Sequence, residues 1–215
     1  MILVGQYDSP FVRRVAIALH EYGLPFERRS LSVFKDFDAM LALNPAGKVP
    51  SLVLETGETL FDSCAIIDFL DGEAPPAHRL APADQPARRR VLQLEVMGIT
   101  LAEKTYERGI ERNRRAPTTR DPAWAARLER QILSLSTWLE AEAAGGWFHG
   151  DRFTRADLAV AVAVQYRDRV VPRLGGPDCF PKLDTHRRRC EARPSFQRVP
   201  DAVDEALRSG WQGSA

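Results

Sequence analysis

Apolar positions along the chain fall into two regimes. Up to about residue 80, short apolar runs alternate with stretches of helical spacing; beyond Pro86 nearly every patterned stretch reads as helix. Ile2-Leu3-Val4 suits a buried strand, and Phe11 to Tyr22 follows with Val12, Val15, Ala16 and Leu19 at helical spacing. Ser9 and Pro10 mark the helix start, because serine accepts a bond from an orphan amide and proline has no amide to leave unpaired. Gly23 ends it. Pro25 to Leu31 predicts a second strand, and Val33 to Leu43 a short, poorly patterned helix before the turn Asn44-Pro45-Ala46-Gly47. Ser51 to Leu54 and Thr59 to Phe61 flank Glu55-Thr56-Gly57-Glu58, which suits an antiparallel hairpin. Asp62 to Leu70 predicts a further helix.

Pro75, Pro76, Pro82 and Pro86 then crowd one stretch, a density that prevents regular helix and marks an extended connector. The expected organisation is an α/β domain over residues 1–78, a linker over 79–86 and an all-α domain over 87–215. Within the second domain the spacing predicts helices over Ala87 to Arg112, Trp124 to Ala143, Arg155 to Val170, Lys182 to Ala192 and Ser195 to Leu207.

Charge narrows the function classes. Thirty Lys and Arg against twenty-nine Asp and Glu leave +1, so no whole-chain field gathers nucleic acid or an acidic membrane. The arginine clusters Arg88-Arg89-Arg90 and Arg187-Arg188-Arg189 read as solvated helix faces. No run of about 18 apolar residues occurs and the N-terminus opens directly as a strand, so neither membrane spanning nor secretion is expected. Cys64, Cys179 and Cys190 are odd in number and widely spread, unlike a disulfide framework; a reducing cytoplasm is the expected compartment. His20, His78, His149 and His186 share no ligand spacing, and no metal site is expected.

Three local motifs carry candidate chemistry. In Thr154-Arg155-Ala156-Asp157, threonine caps a helix and aspartate, three residues on, reaches back to the cap amide; Phe153 and Leu158 stand where a hydrophobic staple closes. Thr154 and Asp157 are therefore structural. Pro50 cannot donate to a sheet ladder, so Val49-Pro50 must lie at a strand's start, either as a rigid turn or as a cis turn. The cis turn would leave the Val49 N–H and C=O facing outward to pair with an extended peptide. Asp62-Ser63 stands between strand and helix, a place for a plain cap or for a pair that grips an amine and a carboxylate.

The ordered set Ser9-Pro10-Phe11-Val12-Arg13-Arg14-Val15, Asn44 to Pro50, Asp62-Ser63, a linker and Thr154 to Asp157 resembles the cytosolic glutathione transferase family, bacterial members above all. The resemblance covers essentially the whole chain. It implies a thioredoxin-like N-terminal domain followed by an all-helical C-terminal domain, glutathione as co-substrate, a small hydrophobic electrophile and a homodimer. By resemblance Pro50 is cis, the Val49 backbone binds the cysteinyl part of glutathione, and Asp62 with Ser63 hold the γ-glutamyl end; the family usually has Glu where Asp62 stands. Phe11, Lys48 and Lys35 join the glutathione-binding set, Lys48 for the glycyl carboxylate and Lys35 as the weaker candidate.

The chemistry turns on ionising a thiol, since the thiolate is the nucleophile and a free thiol is only a few percent ionised at neutral pH. Ser9 stands at a helix N-terminus, where its hydroxyl can donate to sulfur and the helix end favours an anion; together these lower a thiol pKa by about one to two. Tyr7, two residues earlier, is the rival donor, and a plain cap role for Ser9 uses the same oxygen. No cysteine precedes Ser63, which excludes a dithiol mechanism at the first helix, and Cys64 is expected in the core. Met97, Leu101 and Tyr106 are the candidate electrophile-facing residues. Two rivals to transfer stand: glutathione-dependent reduction of peroxides or disulfides, and a noncatalytic glutathione-binding interaction protein.

Overall fold

The computed structural model describes residues 1–202. It divides into two compact units, Met1–Arg79 with 194–202, and Leu80–Arg193. The first is built on four three-residue strands, β1 (Ile2–Val4), β2 (Glu27–Arg29), β3 (Ser51–Val53) and β4 (Thr59–Phe61), in the order β2-β1-β3-β4. β1 runs parallel to β2 and antiparallel to β3, which pairs antiparallel with β4. Helices α1 (Pro10–Tyr22), α2 (Phe37–Leu43) and α3 (Ser63–Glu73) connect and cover the strands. This βαβαββα order is the thioredoxin-like arrangement expected.

Three elements depart from the sequence reading, each for a local reason. β2 is shorter than Pro25 to Leu31 because β1, its ladder partner among the described residues, offers three residues, Ile2 to Val4; at the sheet edge it carries exposed Glu27, Arg28 and Arg29. α2 begins at Phe37, not Val33, because Asp36 Oδ2 accepts from the Ser32 amide (2.8 Å) and Ser32 Oγ from the Phe34 amide (3.2 Å), tying these residues into turns. α3 runs past Leu70 to Glu73 and stops at Ala74, the residue before Pro75.

The second unit is helical: α4 (Gln85–Asn113), α5 (Pro122–Glu142), α6 (Arg155–Val170) and α7 (Pro181–Glu191). Pro86 and Pro122 lie in the first turns of α4 and α5, where a missing amide costs nothing, and Asp84 and Asp121 cap those helices. The Ala- and Val-rich first half of α6 is buried on every side, which makes it the central helix. It packs against α4 closely enough that a Cβ on Gly98 would meet the backbone of Ala159 and Val160 at 2.9 Å. A buried ion pair, Arg155 to Glu95 at 2.9 Å, joins the same two helices.

The expected terminal helix is shorter than foreseen, since α8 covers only Pro194–Gln197; residues 203–207 of that reading lie outside the described residues. α8 packs on α1, where buried Arg13 donates to the Val199 carbonyl at 2.9 Å and lies 5.6 Å from the Phe196 ring centroid. Pro200 and the turn at Phe196–Val199 end the element.

Candidate functional site

Ser9 caps α1, in extended backbone (φ −77°, ψ 123°), with Pro10 at the first helical position. Its Oγ accepts from the Val12 amide at 3.5 Å, beyond the usual N–H···O range. The side chain is half-exposed and makes no other hydrogen bond among the described residues. A loosely held hydroxyl thus stands at the positive end of a 13-residue helix whose first turn carries no acidic residue to offset its field.

Val49 lies beside this helix start. Gly5, directly after β1, has φ +134°, and a Cβ there would sit 2.5 Å from Val12 Cγ2 and 3.1 Å from Val49 Cβ. The missing side chain lets α1 and the Val49 segment close on the strand end. The Val49–Pro50 bond is cis. Buried Asn44 holds the loop by three bonds: Nδ2 to the Lys48 carbonyl (3.0 Å) and to Ser51 Oγ (3.4 Å), and Oδ1 from the Ala46 amide (2.8 Å). Neither the N–H nor the C=O of half-exposed Val49 takes a hydrogen-bond partner among the described residues.

Asp62 and Ser63 divide their labour at the start of α3. Exposed Asp62 is the cap, its Oδ1 accepting from the Cys64 amide at 2.7 Å, with a positive φ of 70° that an L-residue rarely adopts. Ser63, the first helical residue, is buried, and its Oγ accepts from Arg14 Nη1 at 3.0 Å. Because that bond occupies a lone pair, the hydroxyl proton remains for donation elsewhere. Arg14, itself buried, is the residue sequence reasoning missed; a charged side chain on an otherwise apolar helical face beside Val15 was the signal.

The other candidates are less tightly framed. Tyr7 is half-buried with the Arg28 guanidinium 4.4 Å from its ring centroid. Phe11 is half-buried, and Lys35 and Lys48 are exposed. Cys64, expected in the core, is half-exposed, with Sγ 3.7 Å from Arg14 Nη1, because the second helical position faces the arginine and not the apolar interior. In the second unit Met97 is half-buried and Tyr106 is 38% exposed, its phenol pushed up by burial against the opposing charge of Arg114. Leu101, expected beside them, is fully buried in the helical core and presents no surface to a ligand. Among the described residues no cluster of His, Cys, Asp or Glu is arranged to hold a metal ion.

Asp157 is fully buried and accepts from the Thr154 amide (2.8 Å), Thr154 Oγ1 (2.7 Å) and the Phe148 amide (2.8 Å). The carboxylate thereby ties the loop before α6 to the helix start. His186 Nε2 lies 3.4 Å from both the Asp157 carbonyl and Cys190 Sγ. Burial pushes the Cys190 thiol well up, with the Asp157 charge adding to it, so this Cys-His-Asp grouping holds an inert thiol and is structural.

Known proteins share this arrangement. The N-terminal glutathione S-transferase domain matches residues 3–78 and the C-terminal domain residues 114–194. The uncharacterized GST-like protein YibF of Escherichia coli K12 is 33% identical over 175 residues, 80% of this chain and 85% of its own. Maleylacetoacetate isomerase of Pseudomonas aeruginosa is 27% identical over 94% of this chain and 96% of its own length. A glutathione S-transferase of Methylobacterium radiotolerans, solved with glutathione sulfonate, superposes with a TM-score of 0.88 at 30% identity, covering 94% of this chain and 96% of that one. With both domains matched in order, on a thioredoxin-like sheet followed by a helical unit, the chain belongs to the glutathione S-transferase family.

Proposed function

We propose that the protein is a glutathione transferase that binds glutathione along the Val49–Pro50 segment, stabilises its thiolate beside Ser9 and transfers it to a small hydrophobic electrophile. The observation that carries the reading is the Ser9 hydroxyl, half-exposed at the α1 N-terminus and held, among the described residues, only by a 3.5 Å cap bond. A thiolate placed there gains one charge-assisted hydrogen bond and the favourable end of the helix. The N–H and C=O of Val49, without a partner among the described residues, suit the main chain of a cysteinyl residue laid antiparallel to them.

Ser63 supplies a hydroxyl proton and, at the first helical position, a main-chain N–H for the γ-glutamyl carboxylate, while exposed Asp62 pairs with its amine. Lys48, with Lys35 as the weaker candidate, serves the glycyl carboxylate, and Phe11 borders the site. The thiol proton leaves to solvent, the sulfur lone pair forms the new bond, and the electrophile either accepts it by addition or expels a leaving group. Met97 and Tyr106 are the second unit's candidate contacts for the electrophile, Tyr106 with a neutral hydroxyl able to donate. Its setting is a homodimer in the cytoplasm, where glutathione is kept reduced.

Difference ultraviolet titration of glutathione bound to wild type and to Ser9→Ala tests the mechanism without knowledge of the electrophile. Thiolate formation is expected at lower pH in wild type than in the variant, with glutathione affinity changed less than several-fold. Identical titrations would transfer the role to Tyr7 or to main-chain amides. A substrate panel then separates the chemistries: alkylating electrophiles for transfer, a cis-alkene conjugated to a carbonyl for thiolate-assisted isomerisation, and hydroperoxides and mixed disulfides for reduction.

A further inference from the structure

A pocket of about 230 Å³ opens where the loop after α5 meets the start of α7. Trp147, Phe148 and Pro181 give it aromatic and apolar walls, while Gly145 and Gly146 line it with main chain alone. Trp147 is held from outside the pocket: the Arg189 and Arg193 guanidinium carbons lie 5.4 and 5.7 Å from its ring centroid, and Phe153 meets it edge-on at 5.5 Å. Arg189 also donates to the Gly145 carbonyl at 2.7 Å, which ties the glycine pair to the same cluster.

The polar groups that this loop leaves over are donors. The main-chain N–H groups of Gly145, Gly146 and Trp147 take no hydrogen-bond partner among the described residues, and Gly145 has a left-handed backbone of φ +82°. Successive amides in such a turn make an anion-binding concavity. Lys182 adds a formal charge: its amide donates to Glu140 at 2.9 Å, but its exposed ammonium makes no ion pair among the described residues. Glu140 is committed to the amides of Lys182 and Leu183, 2.9 Å each, and no carboxylate among the described residues lines the pocket. Buried His186 completes the lining as a neutral ring, since burial lowers its pKa.

Size and wall chemistry narrow the occupant. An apolar cavity of about 150 Å³ holds benzene, so this larger pocket takes a ring system with a substituent, and flanking aromatic side chains favour a flat aromatic body. The amides and the ammonium line one small pocket, and the two oxygens of a carboxylate can be shared between them. We propose that this pocket binds a small aromatic carboxylate of one ring or two fused rings, its ring against Trp147 and Phe148 and its carboxylate on Lys182 and the amides of residues 145–147. The site stands within the helical unit and does not depend on the glutathione reading.

Isothermal titration of the full chain with 2-naphthoate and with benzoate, with and without saturating S-hexylglutathione, tests it; neutral 2-naphthamide is the control. One saturable site per chain is expected for at least one carboxylate, about tenfold tighter than the amide and unaffected by S-hexylglutathione. Lys182→Gln, which keeps the main-chain bond to Glu140, is expected to weaken it about tenfold. Thr185→Trp, which fills the pocket from the exposed face of α7, is expected to remove it, with S-hexylglutathione affinity unchanged in both variants. In nitrogen–proton correlation spectra the carboxylate is expected to move the Trp147 indole resonance, assigned by its loss in Trp147→Phe. Absence of saturable binding, equal affinity for the amide or in Lys182→Gln, displacement by S-hexylglutathione, or an unmoved Trp147 resonance overturns the proposal. Failure of S-hexylglutathione to bind a protein that still takes the carboxylate would count against the transferase reading alone.

Discussion

The Arg14 guanidinium donates to the Ser63 hydroxyl at 3.0 Å, joining two buried side chains 49 residues apart. This bond orients the hydroxyl that the glutathione reading assigns to the γ-glutamyl carboxylate. Arg14→Met is expected to lower stability by about 1–3 kcal/mol, the usual cost of losing a hydrogen bond from a charged group. It is also expected to raise the glutathione Kd by about tenfold. Denaturant unfolding and calorimetric titration read the two effects separately.

Asp62 combines an exposed carboxylate with a backbone of φ 70°. Asp62→Gly relieves the backbone and Asp62→Asn keeps a capping oxygen, yet both lose the charge. Both are therefore expected to weaken glutathione binding by about tenfold with little change in the thiolate titration. A shifted titration with unchanged affinity would reverse the division of labour between Asp62 and Ser9.

Asp157 accepts three hydrogen bonds in a fully buried position. Asp157→Ala is expected to cost about 3–5 kcal/mol, since it orphans buried donors, whereas Thr154→Ala removes one contact for about 1 kcal/mol. At about 2–4 °C per kcal/mol for a chain of this size, thermal melts resolve the two.

Burial holds the His186 imidazole below its ordinary pKa, against the upward pull of Asp157, so the folded protein keeps the ring neutral. The unfolded chain protonates it below about pH 6.5. Stability from the neutral ring is complete above that pH and is lost as pH falls through about 6.5 toward the lower folded value. His20 is lowered in the same sense, by burial and then by Arg198, and contributes to both proteins compared. Urea unfolding at about pH 7.5 and about pH 5 is expected to show a larger acid loss in wild type than in His186→Gln. Equal losses would place the acid sensitivity elsewhere.

Gly5→Ala forces a Cβ to within 2.5 Å of Val12 and 3.1 Å of Val49 at a φ of +134°. It is expected to destabilise by about 1–3 kcal/mol and to weaken glutathione binding through displacement of Val49. Hydrogen exchange of the amides around Val49 reports the displacement directly.

What the sequence made legible was local. Ser9-Pro10 and Thr154-x-x-Asp157 are helix starts whose partners lie within three residues, and both form as read. Asn44, Pro50, Asp62 and Ser63 were found because their chain order carries a family pattern. Arg14 and Ser63, or Gly5 and Val49, meet only when the sheet is assembled, and neither pair has a spacing to betray it. Leu101 failed for the same reason: its helical period was right, but the face it occupies was decided by the packing of the second unit. α8 stops at Gln197, short of the helix expected from Ser195, because the expected pattern crosses Pro200, and residues 198–202 are not helical.

The sealed Cys190 thiol gives the helical unit a clock of its own. Exposed Cys179 and half-exposed Cys64 are open to an alkylating reagent from the outset, whereas Cys190 becomes reactive only in molecules that have come apart around α6 and α7. The slow phase of labelling therefore counts opening events, with no probe added to the protein.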